Sequence, residues 1–165
     1  MSPSGLMLAG CSKGNGSGGS AGYPSTSEPQ SKGLAGKTYS FVKFDDEQQN
    51  QNERLLVVWR TALLSFTETE INLSVTQDDI LVEMIGTYTL VNDSSFKYSS
   101  SYHIIHTEPV QRFDVSERED AVYANLNGVI VDGETIRIES RRAQSTGDGP
   151  IEVIGSDCAT FKLEK

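Results

Sequence analysis

The feature that most restricts the fold is a series of short segments, from Gly36 onward, in which apolar and polar residues alternate. A period of two residues is typical of a strand with one face buried and the other in solvent. Thr135–Ser140 shows the pattern, with isoleucines alternating with charged residues, and the preceding Asp132-Gly133 is the strongest hairpin signal in the chain. Sustained helical periodicity is absent from the sequence. The folded part is therefore predicted to consist of strands.

One segment, Arg54–Thr67, also suits a helix by composition. Its β-branched and aromatic residues, and the strands predicted around it, favour a strand, which places Trp59 on a strand. Pro109–Asp120 is polar and is predicted to be a loop with a short helical turn. The predicted strands are 37–44, 54–67, 70–76, 81–91 with a bulge or bend at Gly86, 96–107, 121–131, 135–140 and one or two within 151–163.

Short strands at regular spacing are typical of a sandwich or a barrel. Successive hairpins favour up-and-down order, and a sheet of about eight strands in that order closes on itself and so removes its exposed edges. We therefore predict an all-β fold, an antiparallel up-and-down barrel of about eight strands that forms one domain over residues 35–165.

The segment before the predicted barrel has a different composition. Residues 12–34 are rich in Gly, Ser and Pro and contain few large apolar side chains. Such a composition cannot bury enough apolar surface to offset the entropy of ordering the chain. We expect residues 12–34 to be a flexible linker, so that a disordered tail precedes the barrel.

The amino terminus contains Leu8-Ala9-Gly10-Cys11, which resembles the lipobox of bacterial lipoproteins. The resemblance implies cleavage before Cys11 and attachment of lipid to its thiol. Residues 1–11 lack the basic start and the about 7–15 apolar residues of a secretory signal, and they are interpreted as a truncated signal and lipobox region. The following Ser12 resembles that of outer-membrane cargo. The implied location is the cell envelope, lipid-anchored at the outer membrane on its periplasmic or surface face.

Two alternatives to lipidation of Cys11 stay open on the sequence. The amino terminus could be a floppy tail with an accidental cysteine, or Cys11 could form a disulfide with Cys158 in an oxidising compartment. Because Cys158 has no histidine near it in sequence, it is interpreted as a small core or surface residue.

The region from Leu34 onward resembles the lipocalin-like (calycin) domains of bacterial lipoproteins. The resemblance depends on Phe66–Ile71, Gly86–Asp93 and the closing hairpin Val131–Ile138, which follow the turns and alternation of that family. The opening strand departs from the family pattern, because Gly36-Lys37-Thr38-Tyr39 has no tryptophan. The resemblance implies a barrel that can hold a small hydrophobic ligand.

The charge of the chain argues against polyanionic partners. A net charge of −9 and a pI near 4.7 do not provide the clustered lysines and arginines that phosphate binding needs. We therefore expect no nucleic acid, and no electrostatic attraction to anionic lipid head groups.

A search for catalytic and metal-binding patterns gives little. His103 and His106 are three residues apart on a strand, which places them on opposite faces and prevents them from chelating one metal. Glu68 and Glu70 are expected to face solvent. The acidic loop 45–53 could hold a weak Ca²⁺ or simply be solvated. The expectation is a protein that is not an enzyme and has no cofactor or metal.

The aromatic residues are the remaining candidates for a binding site. Alternation places Phe96, Tyr98, Tyr102, Ile104 and His106 on one face, so we expect this face to point into the barrel. Two hypotheses follow: a membrane-tethered barrel that holds a small hydrophobic ligand, or a solid barrel that acts as a structural or protein-interaction module of the envelope. The predicted ligand-binding residues are Tyr39, Phe41, Tyr88, Tyr98, Tyr102 and His106.

Overall fold

The computed structural model describes residues 33–145, 147 and 151–164. The expected signal region 1–11 and the expected linker up to residue 32 lie outside these residues. The part of the chain that is described forms nine strands, three short α-helices and one 3-10 turn. In chain order these are β1 Thr38–Phe44, α1 Glu47–Asn50, α2 Glu53–Trp59, β2 Leu63–Phe66, β3 Glu70–Gln77, β4 Ile80–Asn92, β5 Ser95–Ile105, β6 Gln111–Asp114, the 3-10 turn Glu117–Glu119, α3 Asp120–Tyr123, β7 Leu126–Asp132, β8 Thr135–Gln144 and β9 Glu152–Leu163.

The strands close into a barrel. The order around it is β1-β2-β3-β4-β5-β7-β8-β9, and β9 pairs with β1 to complete the ring. Every pairing is antiparallel, and apart from the closure each ring strand pairs with the next ring strand along the chain, with β6 inserted between β5 and β7. The additional strand β6 pairs with the second half of β5, outside the ring order. The prediction of an all-β, up-and-down antiparallel barrel of about eight strands is confirmed.

The two ends of the barrel differ. Tight hairpins at Asn92–Ser95 and Asp132–Thr135 lie at one end, which we call the hairpin end. The connection from β1 to β2 carries α1 and α2, and α3 precedes β7, so these helices lie at the opposite end, which we call the helical end. None of the helices in the described ranges is long and apolar enough to cross a bilayer.

The prediction of a strand over Arg54–Thr67 is wrong for its first half, which is helix α2. Asn52 caps this helix, and its side-chain Oδ1 accepts a hydrogen bond from the Leu55 amide at 3.2 Å. The apolar residues then follow helical spacing: Leu56 is buried while Val57 is 60% exposed. Trp59 accordingly lies on a helix and packs against the barrel core.

The predicted loop Pro109–Asp120 also contains more structure than expected. It includes strand β6 and a 3-10 turn whose capping box joins Ser116 and Glu119. The predicted strand 121–131 begins only at Leu126, because α3 occupies Asp120–Tyr123. Sequence alternation could not indicate this, since α3 is a single helical turn.

A β-bulge in β5 reverses the side-chain alternation. Ser100 pairs with Gly86 while Tyr102 pairs with Ile85, so Ser101 is an extra residue on β5. Gly86 permits this close crossing, because a Cβ there would lie 1.7 Å from the backbone oxygen of Ser99. Beyond the bulge, Tyr102 shares a face with Ile85 on the outer surface.

Aromatic rings pack against one another in the barrel interior. Phe96 is 1% exposed, and its ring meets those of Phe66, Tyr88 and Tyr98 at centroid distances of 5.7, 6.0 and 6.2 Å. Gly128 faces the same ring, and a Cβ there would lie 2.2 Å from it. A second group of rings, Phe41, Phe44, Trp59 and Phe161, packs beneath α2.

Candidate functional site

A small pocket lies at the helical end of the barrel, between α2 and α3. Its volume is about 70 Å³. Trp59 of α2 and Val122 of α3 form part of its rim, and inward-facing residues of the strands form its floor. We call this space the end pocket; its lining includes Trp59, Leu73, Met84, Ser100, Val122 and Leu126. The lining is mostly apolar.

Arg141 fixes helix α3 over the pocket. Its guanidinium donates to the carbonyl oxygens of Ala121 at 2.8 Å, Ala124 at 3.0 Å and Asn125 at 3.1 Å. Its Nε also donates to a carboxylate oxygen of Glu139 at 3.0 Å. The last carbonyls of a one-turn helix have no backbone donor within the helix. The Arg141 guanidinium supplies the donors that a further helical turn would otherwise provide.

Glu139 and Tyr98 complete the polar wall behind the pocket. The other carboxylate oxygen of Glu139 accepts from the Asn127 amide at 3.0 Å. The Tyr98 hydroxyl donates to the backbone oxygen of Glu139 at 2.5 Å. Burial raises the pKa of Tyr98, and the nearby Glu139 carboxylate raises it further. These groups are therefore already hydrogen-bonded within the protein and have structural roles.

Ser100 and His103 differ from this satisfied wall. Ser100 is among the residues that line the pocket, but its Oγ is itself buried and has no hydrogen-bond partner among the described residues. His103 lies beyond the bulge on the same inner face, opposite Met84, and its Nε2 is also buried without a partner in the part of the chain that the structure describes. The edge of the His103 ring packs against Tyr123 at a centroid distance of 4.9 Å. Burial lowers the pKa of His103, opposed by the Glu119 carboxylate, so the imidazole is neutral at pH 7.

Four of the six predicted ligand-binding residues face the interior. Tyr39 is 1% exposed and packs against Phe66, and Phe41 packs against Trp59. The Tyr88 hydroxyl donates to the Thr67 backbone oxygen at 2.7 Å. These three contribute to the packed aromatic interior, and Tyr98 alone of the six lines the end pocket.

The prediction that Tyr102 and His106 face the interior is wrong, as it is for Ile104. The bulge at Ser101 shifts the alternation by one residue, so Tyr102 and Ile104 turn outward. The guanidinium of Arg112 lies 3.8 Å from the Tyr102 ring centroid. His103 and His106 do lie on opposite sides of the sheet, but His103 faces the interior and His106 faces outward, the reverse of the expectation.

His106 belongs to a polar cluster on the outer surface. Its Nε2 lies 2.6 Å from Glu83 Oε2, and Asn72 Nδ2 donates to Glu83 Oε1 at 2.8 Å. These hydrogen bonds, that of Asn72 first, lower the pKa of Glu83. Glu83 thus joins Asn72 and His106 through its two carboxylate oxygens.

The acidic residues considered for metal binding have other roles. Asp45 pairs with Arg137, and Asp46 caps α1 by accepting from the Gln48 amide at 2.9 Å. The expected loop 45–53 thus contains α1 and the start of α2. Glu68 and Glu70 are solvent-exposed, as expected. Within the described ranges, three or more His, Cys, Asp or Glu side chains nowhere converge as metal ligands would.

Cys158 is neither a simple core residue nor a simple surface residue. It is 8% exposed, packs with Val129 on the outer face of the barrel, and its sulfur is in a disulfide. The chain contains one other cysteine, Cys11, which lies outside the described residues. The disulfide of Cys158 therefore bears directly on the expected lipidation of Cys11.

Sequence reasoning missed the residues that define the end pocket. Ser100 is one of a run of serines, which gives no signal for a pocket. Val122 and Tyr123 lie in a segment that the sequence predicts to be a strand. Only the bulge and the fold of α3 bring these residues together. The sequence matches no protein-family model, and comparison with curated proteins and with solved structures gives no match either.

Proposed function

We propose that the chain is a cell-envelope protein whose solid barrel serves as a structural or protein-interaction module. The observation that carries this proposal is the filled interior: the end pocket is about 70 Å³, whereas sites for drug-sized ligands are roughly 300–1,000 Å³. The sequence left a hydrophobic ligand and a solid core as alternatives. Packing of the rings around Phe96 favours the solid core.

The interaction surface in this proposal is β6. This strand hydrogen-bonds with β5 alone among the described strands, and all four of its residues are exposed. Phe113 is 48% exposed, and Val110 just before the strand is 58% exposed. An edge strand with exposed apolar residues can accept a further strand or an apolar surface from a partner.

Photo-crosslinking in intact cells tests this surface. A photoreactive amino acid at Phe113 is expected to give a defined crosslinked product with an envelope protein. The matched control is the same substitution at Val42, which is 49% exposed on β1 of the barrel wall. Absence of a product from the Phe113 position, or the same products from both positions, would contradict the assignment of β6.

Titration with a fluorescent fatty acid tests whether the barrel interior is solid. The wild-type barrel is expected to give no saturable fluorescence change, because aromatic rings pack the interior around Phe96 and the end pocket is too small for an acyl chain. Saturable binding at one site per molecule would favour the alternative, a carrier of a small hydrophobic ligand. Displacement by an unlabelled fatty acid separates such binding from adsorption to the surface.

The envelope location is supported by two features of the cysteines. Leu8-Ala9-Gly10-Cys11 resembles a lipobox, and disulfides such as that of Cys158 persist mainly in oxidising compartments. The proposal tethers the protein through lipid on Cys11. Because one sulfur cannot hold both a diacylglyceryl group and a disulfide, a molecule lipidated on Cys11 cannot form a Cys11–Cys158 disulfide.

Metabolic labelling with a fatty acid tests the tether. The native protein is expected to incorporate label, Cys11→Ser to lose it, and Cys158→Ser to retain it. Recovery by mass spectrometry of an unlabelled Cys11–Cys158 peptide pair from the native protein would contradict the lipid tether. Only the assignment to an oxidising compartment would then remain.

A further inference from the structure

We infer that two copies of this chain associate through β6, with the two β6 strands side by side and antiparallel about a two-fold axis at Phe113. The inference rests on the proposed function, which makes β6 the interaction surface, and it identifies the partner as a second copy of the chain. Because β6 lies outside the ring order of the barrel, pairing there leaves both barrels closed. A two-fold contact of this kind needs a surface that is complementary to itself.

The pairing of β6 with β5 determines which backbone groups lie at its free edge. Val115 donates its backbone N–H to the Ser101 carbonyl oxygen at 2.9 Å, and the register continues along β6 without a bulge. Because the backbone groups of an antiparallel strand point alternately to its two sides, those of Phe113 turn toward β5 and those of Arg112 and Asp114 turn away. Among the described strands, only β5 pairs with β6. The outward backbone groups are therefore placed to pair with a further strand.

One register of two β6 strands brings opposite charges together. The outward backbone groups of the two strands meet when the two-fold axis passes through a residue of β6 rather than between two residues. An axis at Arg112 or Asp114 places that residue opposite its own copy, and like charges directly opposite are destabilising. An axis at Gln111 places Arg112 opposite Val110, which has no charge. An axis at Phe113 places Arg112 of each copy opposite Asp114 of the other, so β6 is complementary to itself in this register.

The side chains of β6 already have the arrangement that this register needs. The Arg112 guanidinium lies 3.8 Å from the Tyr102 ring centroid, and its Nε donates to Asp114 Oδ1 at 2.9 Å. The Arg112 and Asp114 side chains are 59% and 72% exposed, so a second strand can reach them. Phe113, on the other face of β6 and 48% exposed, would meet its own copy at the axis and lose contact with solvent.

The size of the contact determines its expected strength. Each copy contributes a strand of four residues, so the buried area lies at the low end for specific protein contacts. We therefore expect a weak dimer in solution, populated at high protein concentration. Attachment of both copies to one membrane, as in the proposed function, would raise their effective concentration and favour pairing.

Two charge-reversal variants of the full chain test the register. Arg112→Asp gives each β6 strand two carboxylates and Asp114→Arg gives it two guanidiniums, so each variant should dissociate about tenfold more readily than wild type in sedimentation equilibrium at low salt. A one-to-one mixture of the two variants should restore association, because an acidic strand then meets a basic one. The double variant should behave as wild type. All four residues of β6 are exposed, so the variants should retain the fold, which circular dichroism checks.

A charge reversal elsewhere separates pairing from a change in net charge. Lys43→Asp changes the net charge as much as Arg112→Asp does, at an exposed position on β1. It is expected to leave association unchanged. Equal weakening by Lys43→Asp and Arg112→Asp would contradict a specific contact at β6.

Photo-crosslinking identifies the partner and the residues that meet. A photoreactive amino acid at Phe113, in an equal mixture of unlabelled and isotope-labelled full chains, is expected to give dimers that contain both isotopes. The crosslinked peptides should contain residues 112–114 of the other copy. Crosslinks to a different part of the other copy would overturn the register.

The remaining outcomes separate this inference from the proposed function. A chain that stays monomeric up to about 1 mM, or reversal variants that associate like wild type, would overturn the inference. A Phe113 product in cells with a different envelope protein, and none with a second copy, would overturn the inference and support the proposed function. Absence of any Phe113 product in cells would contradict both.

Discussion

Replacing Phe96 with alanine tests how tightly the barrel is packed. Phe96 is 1% exposed, touches three aromatic rings and faces Gly128. Phe→Ala in a packed core costs about 3–5 kcal/mol, from the lost transfer free energy and the cavity left behind. Each edge-to-face ring pair adds roughly 0.5–1.5 kcal/mol beyond burial. We therefore expect the free energy of unfolding to fall by about 4–5 kcal/mol.

The assay is urea unfolding followed by the fluorescence of Trp59, the only tryptophan of the chain. Phe113→Ala serves as the control, because Phe113 is 48% exposed and its loss should cost no more than about 1 kcal/mol. If Phe96→Ala does not fold, Phe96→Leu keeps much of the volume and is expected to cost about 1–2 kcal/mol. A loss below about 1 kcal/mol in Phe96→Ala, with an unchanged denaturant slope, would refute the packed interior.

Three further predictions concern the features that shape the helical end and the sheet. Arg141→Met leaves the buried Glu139 carboxylate without its charged partner and removes the hydrogen bonds to three carbonyls, so it should lower the free energy of unfolding by about 2–4 kcal/mol. Amide hydrogen exchange at Ala124 should accelerate, and unchanged exchange would contradict the role of Arg141. Gly86→Ala places a Cβ against the Ser99 carbonyl and should lower the free energy of unfolding in urea by about 2–3 kcal/mol. Gly133→Ala is the control, since the space around Gly133 is open and its free energy of unfolding should change little. Equal effects of the two substitutions would contradict the close crossing at Gly86. Because burial lowers the pKa of His103 from 6.5, the unfolded chain binds the proton more tightly, so the Tm should fall as pH drops below about 6.5. His103→Gln should reduce this acid-side fall of the Tm, and an unaltered fall would contradict the role of His103.

The barrel could be predicted because the signals for its strands and turns lie in residues that are close together in sequence. Period-two alternation and the Asp132-Gly133 turn define strands and their hairpins, and sequential hairpins leave few topologies other than a closed ring. The predicted boundaries of β3, β4 and β5 differ from those in the structure by only one or two residues.

The helical end could not be predicted because it depends on contacts between distant residues. Helix α2 is only seven residues long, and the Asn52 cap and its packing on the core decide its conformation. Helix α3 is one turn held by Arg141, about twenty positions later in the sequence. A segment this short has little preference of its own.

The candidate site was only partly predictable for the same reason. Alternation correctly placed Tyr39, Tyr88 and Tyr98 inside, but one extra residue at Ser101 exchanged the faces of Tyr102 and His103. A bulge leaves almost no signal in a single sequence, and Gly86 was the one hint of it. The fate of the cysteines depends on compartment and pairing, which spacing alone does not determine.

A crystal structure of the protein under xenon pressure tests whether the barrel is solid. Xenon enters apolar cavities that are large enough for it and marks them by strong scattering. We expect xenon, if anywhere, in the end pocket beside Met84 and Leu126, and none among the rings around Phe96. Several xenon sites along the barrel axis, or elongated density from a copurified lipid in the interior, would contradict a solid barrel.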